Sequence, residues 1–279
     1  MTPSDFTFIC QLVRDRSCIV LEPGKEYLVE SRLLPIVREL QLPSISGLVE
    51  ALRRNLDNGL ASKVIEAMVT NETSFFRDIH PYEAFKKQIL PALISRRQAT
   101  RRLNIWSAAC SSGQEPYSLA ILLKENFPEL AYWSVNILAT DLSNEILEKA
   151  RKGIYNQIEV NRGLPAAMLA RHFTQHGMSW QISDEIRRMV EFREMNLSRF
   201  WPLLPQMDIV LLRNVMIYFE ADTKKVILAR VANLLQPDGY LLLGGAETTL
   251  NLSTAFQRVD FGKVGFYQLI SRGASSGIQ

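Results

Sequence analysis

Residues 105–121 read IWSAACSSGQEPYSLAI. An apolar, strand-like start runs into Ser, Ala, Cys and Gly, and then into an acidic residue and a proline that open a helical pattern. Small side chains fill a core poorly but let a backbone approach a ligand, and Gly113 can take the left-handed conformation that such a turn demands. Strand, small-residue loop and helix make the first unit of an α/β fold. In an open α/β sheet that loop falls where ligands bind, beyond the carboxyl ends of the strands.

The same rhythm continues downstream. Apolar runs predict strands over 103–106, 135–139, 190–192, 207–212, 240–243 and 264–270. Between them the patterns predict helices over 115–126, 143–151 and 223–235. Ser143 is placed to cap its helix, with Glu145 in the first turn where a negative charge is favourable. Pro237-Asp238-Gly239 reads as a turn. The expected fold class is α/β, with a mostly parallel sheet covered by helices on both faces.

Upstream the pattern is helical. One helix places Phe6, Ile9, Cys10 and Val13 on a face. A second follows Pro23-Gly24 and carries Tyr27, Leu28, Leu33, Leu34 and Val37; a third spans 45–56, ending at Leu56, and a fourth spans 61–69. Residues 1–75 are therefore expected to form a small all-helical domain. A helix with Phe85, Ile89 and Leu93, then the polar run SRRQATRR, form a linker over 76–102. The α/β domain follows over 103–272, and 273–279 reads as a tail.

Composition narrows the function. Thirty-two basic and 29 acidic residues leave a net charge of +3, too little to argue for a nucleic acid or membrane partner. The N-terminus does not read as a signal peptide, and no apolar run is long enough for a membrane span, so a cytoplasmic protein is expected. Three cysteines are too few and scattered for a disulfide framework. His172 and His176 sit four residues apart, which on a helix could hold a metal, but no second ligand cluster accompanies them, and no metal is expected.

The loop over 108–113 lacks both G-x-G-x-x-G and a P-loop, so it is not a pyrophosphate or triphosphate cradle. Glu115 at the helix start either favours the helix N-terminus or serves a cationic ligand. Asp141 follows the second strand, 26 residues on from Glu115, where an acidic residue takes ribose hydroxyls in nucleotide-type sheets; helix capping is the rival role. Together the two carboxylates favour an adenosine ligand that carries positive charge, and S-adenosylmethionine fits.

Longer strings carry a resemblance. TNETSFFRD (70–78), WSAACSSGQEPYSLA (106–120), ATDLSNEILEKARKGIY (139–155), Asn196-Leu197, LLRNVMIYF (211–219) and LLQPDGYLLLGGAET (234–248) resemble, in order, the signatures of the CheR-type chemotaxis receptor methyltransferases. The resemblance spans residues 5–270. It implies an N-terminal helical domain on an S-adenosylmethionine-dependent, Rossmann-like methyltransferase domain. It also implies methylation of glutamate side chains on the cytoplasmic helices of chemoreceptors, giving glutamyl methyl esters and S-adenosylhomocysteine. Carried over position by position, it places Asn71, Thr73 and Arg77 over the cofactor, with Ala109 and Gly113 in its loop. Glu115 falls at the methionyl end, Asp141 at the ribose, Asn196 and Leu197 beside adenine, and Arg213 and Asn214 on the floor. Arg77 and Tyr218 fall near the transferring methyl. Phe75 and Phe76 read as packing, and Cys110 as a small filler.

The chemistry needs little else. A glutamate carboxyl titrates near 4.3, so at neutral pH it is already a nucleophile and no general base is required. The remaining task is alignment. Arg77 can orient the carboxylate or brace the pocket, and Tyr218 can donate its hydroxyl or simply pack as a buried aromatic.

Three features depart from the resemblance. Residues 1–70 hold eight Lys/Arg against nine Asp/Glu, so receptor contact falls to a local cluster of Arg53, Arg54 and Lys63, with Arg32 and Arg38 nearby. Within residues 161–191 the matching stretch RHFTQHGMSWQISDEIRRMV is short, with one glycine, Gly177, so the β-subdomain that grips a C-terminal peptide tether in some relatives is expected to be reduced and tight tether binding absent. GGAET at 244–248 keeps Glu247 but lacks the histidine usual in the family. The competing readings are a methyltransferase with another acceptor, a module that only binds S-adenosylmethionine, and a receptor that governs a response other than swimming.

Overall fold

The computed structural model describes residues 1–54 and 59–270. Leu56, at the end of the third expected helix, and the tail at 273–279 lie outside the described residues. α1 (Pro3–Ser17) opens on a capping box, in which the Thr2 hydroxyl accepts the Asp5 N–H and the Asp5 carboxylate accepts the Thr2 N–H. α2 (Glu26–Glu39), α3 (Ile45–Arg54) and α4 (Leu60–Met68) complete the helical part. The buried stripe of α2 runs through Val29, Leu33, Ile36 and Val37 at helical spacing, which turns Tyr27 and Leu34 outward, 71% and 40% exposed.

α5 (His80–Ala84) passes through a π turn (Phe85–Ile89) into α6 (Leu90–Arg97). Phe85, Leu90 and Leu93 are wholly buried in the cluster that covers one face of the large sheet. The expected linker is thus part of the α/β core. Its apolar residues were legible, and their burial follows from the sheet they pack on.

The chain continues through β1 (Arg102–Ala108), α7 (Gln114–Asn126), β2 (Ser134–Asp141), α8 (Asn144–Lys152) and β3 (Ile154–Asn156). Then come α9 (Gln157–Asn161), α10 (Ala166–His172), β4 (Phe173–His176), β5 (Ser179–Ile182), α11 (Asp184–Arg187) and β6 (Val190–Glu194). β7 (Met207–Leu212), α12 (Ala221–Leu234), β8 (Leu235–Leu243), β9 (Phe256–Phe261) and β10 (Val264–Leu269) end the fold.

The large sheet has the order β6-β2-β1-β7-β8-β10-β9. Its first five strands are parallel, and β10 and β9 run antiparallel at the edge. Strand β9 did not stand out in the sequence, because its alternation is mostly exposed. Pro237-Asp238-Gly239 lies inside β8, where the pairing with β7 shifts register between Met207 and Ile209. Alternate residues feed two cores, as a pleated sheet requires. Ile105, Ile137 and Ile209 face α7 and the 80–97 helix, while Trp106, Leu138 and Val210 face a cluster continuous with Ile9, Leu33, Leu48 and Val64 of the helical part.

A second sheet, β3-β5-β4, is antiparallel and three-stranded. It begins at Ile154, before the 161–191 region in which the reduced subdomain was expected. Gly177-Met178 makes its two-residue hairpin turn, with Gly177 at φ 60°.

Candidate functional site

Strand order reverses between β1 and β7, and four loops leave the carboxyl end of the sheet around that point. They follow β1 (109–113), β2 (142–143), β6 (195–197) and β7 (213–219), and line a cavity at the strand ends. The helical part supplies the roof: Ser17 and Ile19 after α1, and Val69 to Thr73 after α4.

Of the residues expected around a cofactor, Asn71, Thr73, Arg77, Ala109, Glu115, Asp141, Asn196, Leu197, Arg213, Asn214 and Tyr218 all line this cavity. Gly113 does not. It caps α7 at φ 91°, and a Cβ there would stand 3.0 Å from Ala150 and 3.3 Å from the Phe192 ring. Its smallness serves helix packing beneath the loop, while Ala109 and Ser111, at φ 56° and 51°, make the turn that faces the ligand.

Asp141 ends β2 with its carboxylate 5% exposed. One oxygen accepts the Ser111 N–H at 2.8 Å and the other the Ser143 N–H at 3.1 Å. Burial pushes this carboxyl above its ordinary value, against the pull of the Ser143, Ser111 and Leu142 amides, and nearby Glu66 adds to the rise. A carboxylate offers about four acceptor positions, so the Asp141 carboxylate keeps acceptor capacity for a ligand. Ser143 caps α8 and donates its hydroxyl hydrogen bond to Glu66 of α4 at 2.7 Å, tying the helical part to the Asp141 side of the cavity.

Glu115 accepts the Ser107 hydroxyl at 2.8 Å and Arg213 Nη1 at 2.9 Å. Arg213 Nη2 also holds the Asp78 carboxylate at 2.8 Å and the Arg77 carbonyl at 3.1 Å. Burial works against the arginine's charge, but Glu115, Tyr82 and Asp78 outweigh it, and the guanidinium is held more firmly protonated than usual. The 70–78 motif is therefore stitched to β7 through one side chain. Arg77 itself is half-buried, with one contact to the Glu72 carbonyl at 3.2 Å. Asn196 lines the cavity, but its amide is taken by the Arg16 carbonyl and by Ser198, so what it offers a ligand is mainly its backbone.

Phe75 and Phe76 pack in the core, as their reading in the sequence has it: Phe75 meets Tyr155 and Phe173 edge-on at 5.0 and 5.5 Å. Cys110 lines the cavity as a buried thiol pushed well up by burial, with Asp141 and Glu115 adding to the rise, which leaves it inert. Arg53, Arg54 and Lys63 do not form a free basic cluster. Arg53 stacks on Phe8, Arg54 pairs with Glu50 and Lys63 with Glu39. Arg32 holds the Met68 carbonyl and Thr70, bracing the roof. His172 ends α10 while His176 ends β4, so the pair shares no helix face; His172 bonds Glu125 at 2.7 Å. Among the described residues no group of three or more His, Cys, Asp or Glu is placed to hold a metal.

Residues missed in the sequence include Ser17, Ile19, Glu66, Asp78 and Ser111. Asp78 closes the TNETSFFRD string and could have been found there. Ile19 could not, since its role arises from a β-bridge to Phe219.

A sheet-end cavity with a ribose-type carboxylate, no phosphate cradle and a second carboxylate beneath it defines an S-adenosylmethionine-dependent methyltransferase. Comparison with known proteins gives the family. The CheR methyltransferase SAM-binding domain matches residues 71–264, and the CheR all-alpha domain matches residues 4–69. Chemotaxis protein methyltransferase 1 of Pseudomonas aeruginosa is 42% identical over 251 residues, covering 88% of this chain and 90% of that protein. Chemotaxis protein methyltransferase Cher2 of Pseudomonas putida is 40% identical with the same coverage, and Chemotaxis protein methyltransferase 1 of Vibrio cholerae is 37% identical over 93% of this chain and 94% of that protein. The chain belongs to the CheR methyltransferase family. It is a protein-glutamate O-methyltransferase that uses S-adenosylmethionine and acts on chemoreceptors.

Proposed function

We propose a division of labour among the residues of this cavity. Asp141 holds the ribose, Asn196 and Leu197 flank the adenine, and Glu115 with Ala109 and Asn71 receive the methionyl end. Arg213 and Asn214 form the floor. Arg77 and Tyr218 face the acceptor carboxylate. The convergence of these groups from five separate sequence strings on one cavity supports the reading.

S-adenosylmethionine bound here supplies an electrophilic methyl group on a sulfonium. What the protein must add is alignment, which can contribute several kcal/mol or more. The acceptor glutamate arrives ionised, since its carboxyl titrates near 4.3 in the open. The lining contains no histidine, and both of its buried carboxylates are occupied, Glu115 by Arg213 and Asp141 by backbone amides. The attacking oxygen carries no proton, so none has to be removed. Arg77, held by a single protein contact, can orient the incoming oxygen without binding it so tightly that attack slows.

The enzyme works in the cytoplasm on the receptors' helical bundle, without gripping a C-terminal tether. The four-residue strands of the β4–β5 hairpin support the second point. Transfer of labelled methyl to receptor cytoplasmic fragments tests the whole reading. Label released by mild alkali, and equal turnover on fragments with and without their C-terminal tails, are expected. Alkali-stable label, or turnover only with the tail, would contradict it.

A further inference from the structure

Glu247 lies in the connection after β8, outside the cofactor cavity, yet its carboxylate reaches the loop that carries the cavity floor. Oε2 accepts the Asn214 N–H at 2.7 Å and the Gly244 N–H at 2.7 Å, and Oε1 accepts the Ile217 N–H at 3.2 Å. Three amides from two loops thus converge on one side chain. Convergent backbone N–H groups make an anion nest. Here the chain fills the nest with its own carboxylate.

Two further observations show that the fit is built. Asn214 is held at φ 56°, a left-handed conformation uncommon outside glycine, though asparagine tolerates it better than most. A Cβ on Gly244 would stand 2.7 Å from Glu247 Oε2 and 2.8 Å from the Asn214 nitrogen, so only glycine lets the carboxylate close on both loops. The clamped segment presents Asn214, Val215, Tyr218 and Phe219 to the cavity. On its other side the Tyr218 carbonyl accepts the Val20 N–H at 3.0 Å. The turn bearing Tyr218 is therefore gripped from below by Glu247 and from above by the α1–α2 connection.

We propose that Glu247 is a positioning residue for methyl transfer. Its carboxylate sets the 214–218 turn, and through it the place of the Tyr218 ring and hydroxyl beside the acceptor. This rests on the reading that Tyr218 faces the acceptor carboxylate. Glu247 touches neither substrate nor cofactor, so cofactor affinity, which draws on Asp141 and Glu115, is largely independent of it.

The test combines turnover with amide hydrogen exchange. In Glu247→Ala, kcat falls roughly 10–100-fold, the scale on which misplacement of a reacting group is felt. The calorimetric Kd for S-adenosylmethionine stays within about threefold, which separates positioning from binding. Glu247→Gln keeps the size but sets an NH2 donor against the amides, and it too loses turnover. Formate at about 50 mM refills the nest in the alanine variant and restores part of kcat. The Asn214, Ile217 and Gly244 amides lose exchange protection in that variant and regain it with formate. Unchanged kcat, unchanged protection at these amides, or a joint fall in turnover and cofactor affinity that formate leaves untouched would overturn the proposal. The exchange measurement needs no acceptor, so it decides the clamp even if the parent enzyme fails to label receptor glutamates.

Discussion

Arg213 Nη1 and Glu115 Oε2 stand 2.9 Å apart, though 98 positions separate them along the chain, and both side chains are nearly out of water. The arginine's other nitrogen holds Asp78 and the Arg77 carbonyl, so this pair fixes the 70–78 motif, β7 and the start of α7 with respect to one another. Removing one partner of a buried pair strands the other's charge. Arg213→Met should therefore cost about 3–5 kcal/mol of stability in urea denaturation. A loss below about 1 kcal/mol would show that Glu115 finds water instead.

Asp141 carries a cost that its function repays. Its carboxyl is raised above the ordinary 3.8, so it contributes nothing to the pH dependence of stability below 3.8, where both states are protonated. As pH rises through the folded pKa the native state must hold a charge that burial disfavours, and stability falls over that window. Asp141→Asn should then melt at or above the parent's temperature at pH 7, yet bind S-adenosylmethionine at least about tenfold more weakly, since hydrogen bonds to a charged acceptor are strong. In the parent, cofactor affinity should decline on acidification through that raised pKa. Thermal melts and calorimetry check both limbs.

The roof is tested at Val20. Its N–H is the donor to the Tyr218 carbonyl, and the neighbouring Ile19 forms a bridge with Phe219. Val20→Pro removes the donor from an extended segment that proline tolerates. One lost hydrogen bond on the Tyr218 turn predicts a fall of about fivefold in kcat at saturating S-adenosylmethionine. An unchanged kcat would mean that the turn is held from above by apolar contacts alone.

At the opposite end of the sheet, Arg97 donates to Asp208 at 2.7 Å and Asp238 at 2.5 Å, closing the 80–97 helix onto β7 and β8. The Arg97 guanidinium holds the Asp238 carboxyl below its usual 3.8. Stability from this pair is therefore whole above about 3.8 and is lost as pH falls through the folded value. Arg97→Gln should cost about 3 kcal/mol at pH 7, chiefly because Asp208, with its side chain 3% exposed, keeps its charge without its partner. Its denaturation profile should also lose the acid limb due to Asp238.

What the sequence made legible follows from where each signal is stored. β1, β2 and β7 are apolar on both faces, α8 carries its own Ser143 cap and α7 an acidic first turn, so local pattern sufficed for them. The β3-β5-β4 sheet did not announce itself: its strands are three or four residues long, half polar, and β3 finds its partner 25 residues on, at Tyr155 opposite Trp180. Asp141, Glu115 and Arg213 were readable because strand ends are where such a fold puts chemistry. Ile19 was not, and Glu247 was visible only as a kept motif position without its role, since each acts through backbone groups about 30 to 200 residues away, and that proximity exists only once the sheet is assembled.

The central claim is that the acceptor carboxylate attacks already ionised, with no enzyme group taking a proton. Single-turnover methyl transfer at saturating S-adenosylmethionine, followed as alkali-labile label between pH 5.5 and 8.5, tests it most directly. The expected result is a rate that is flat from about pH 6 upward, because the acceptor's own ionisation near 4.3 is complete by then. A rate that climbs through an ionisation between pH 6 and 8, and loses that limb when a cavity residue is replaced, would contradict it.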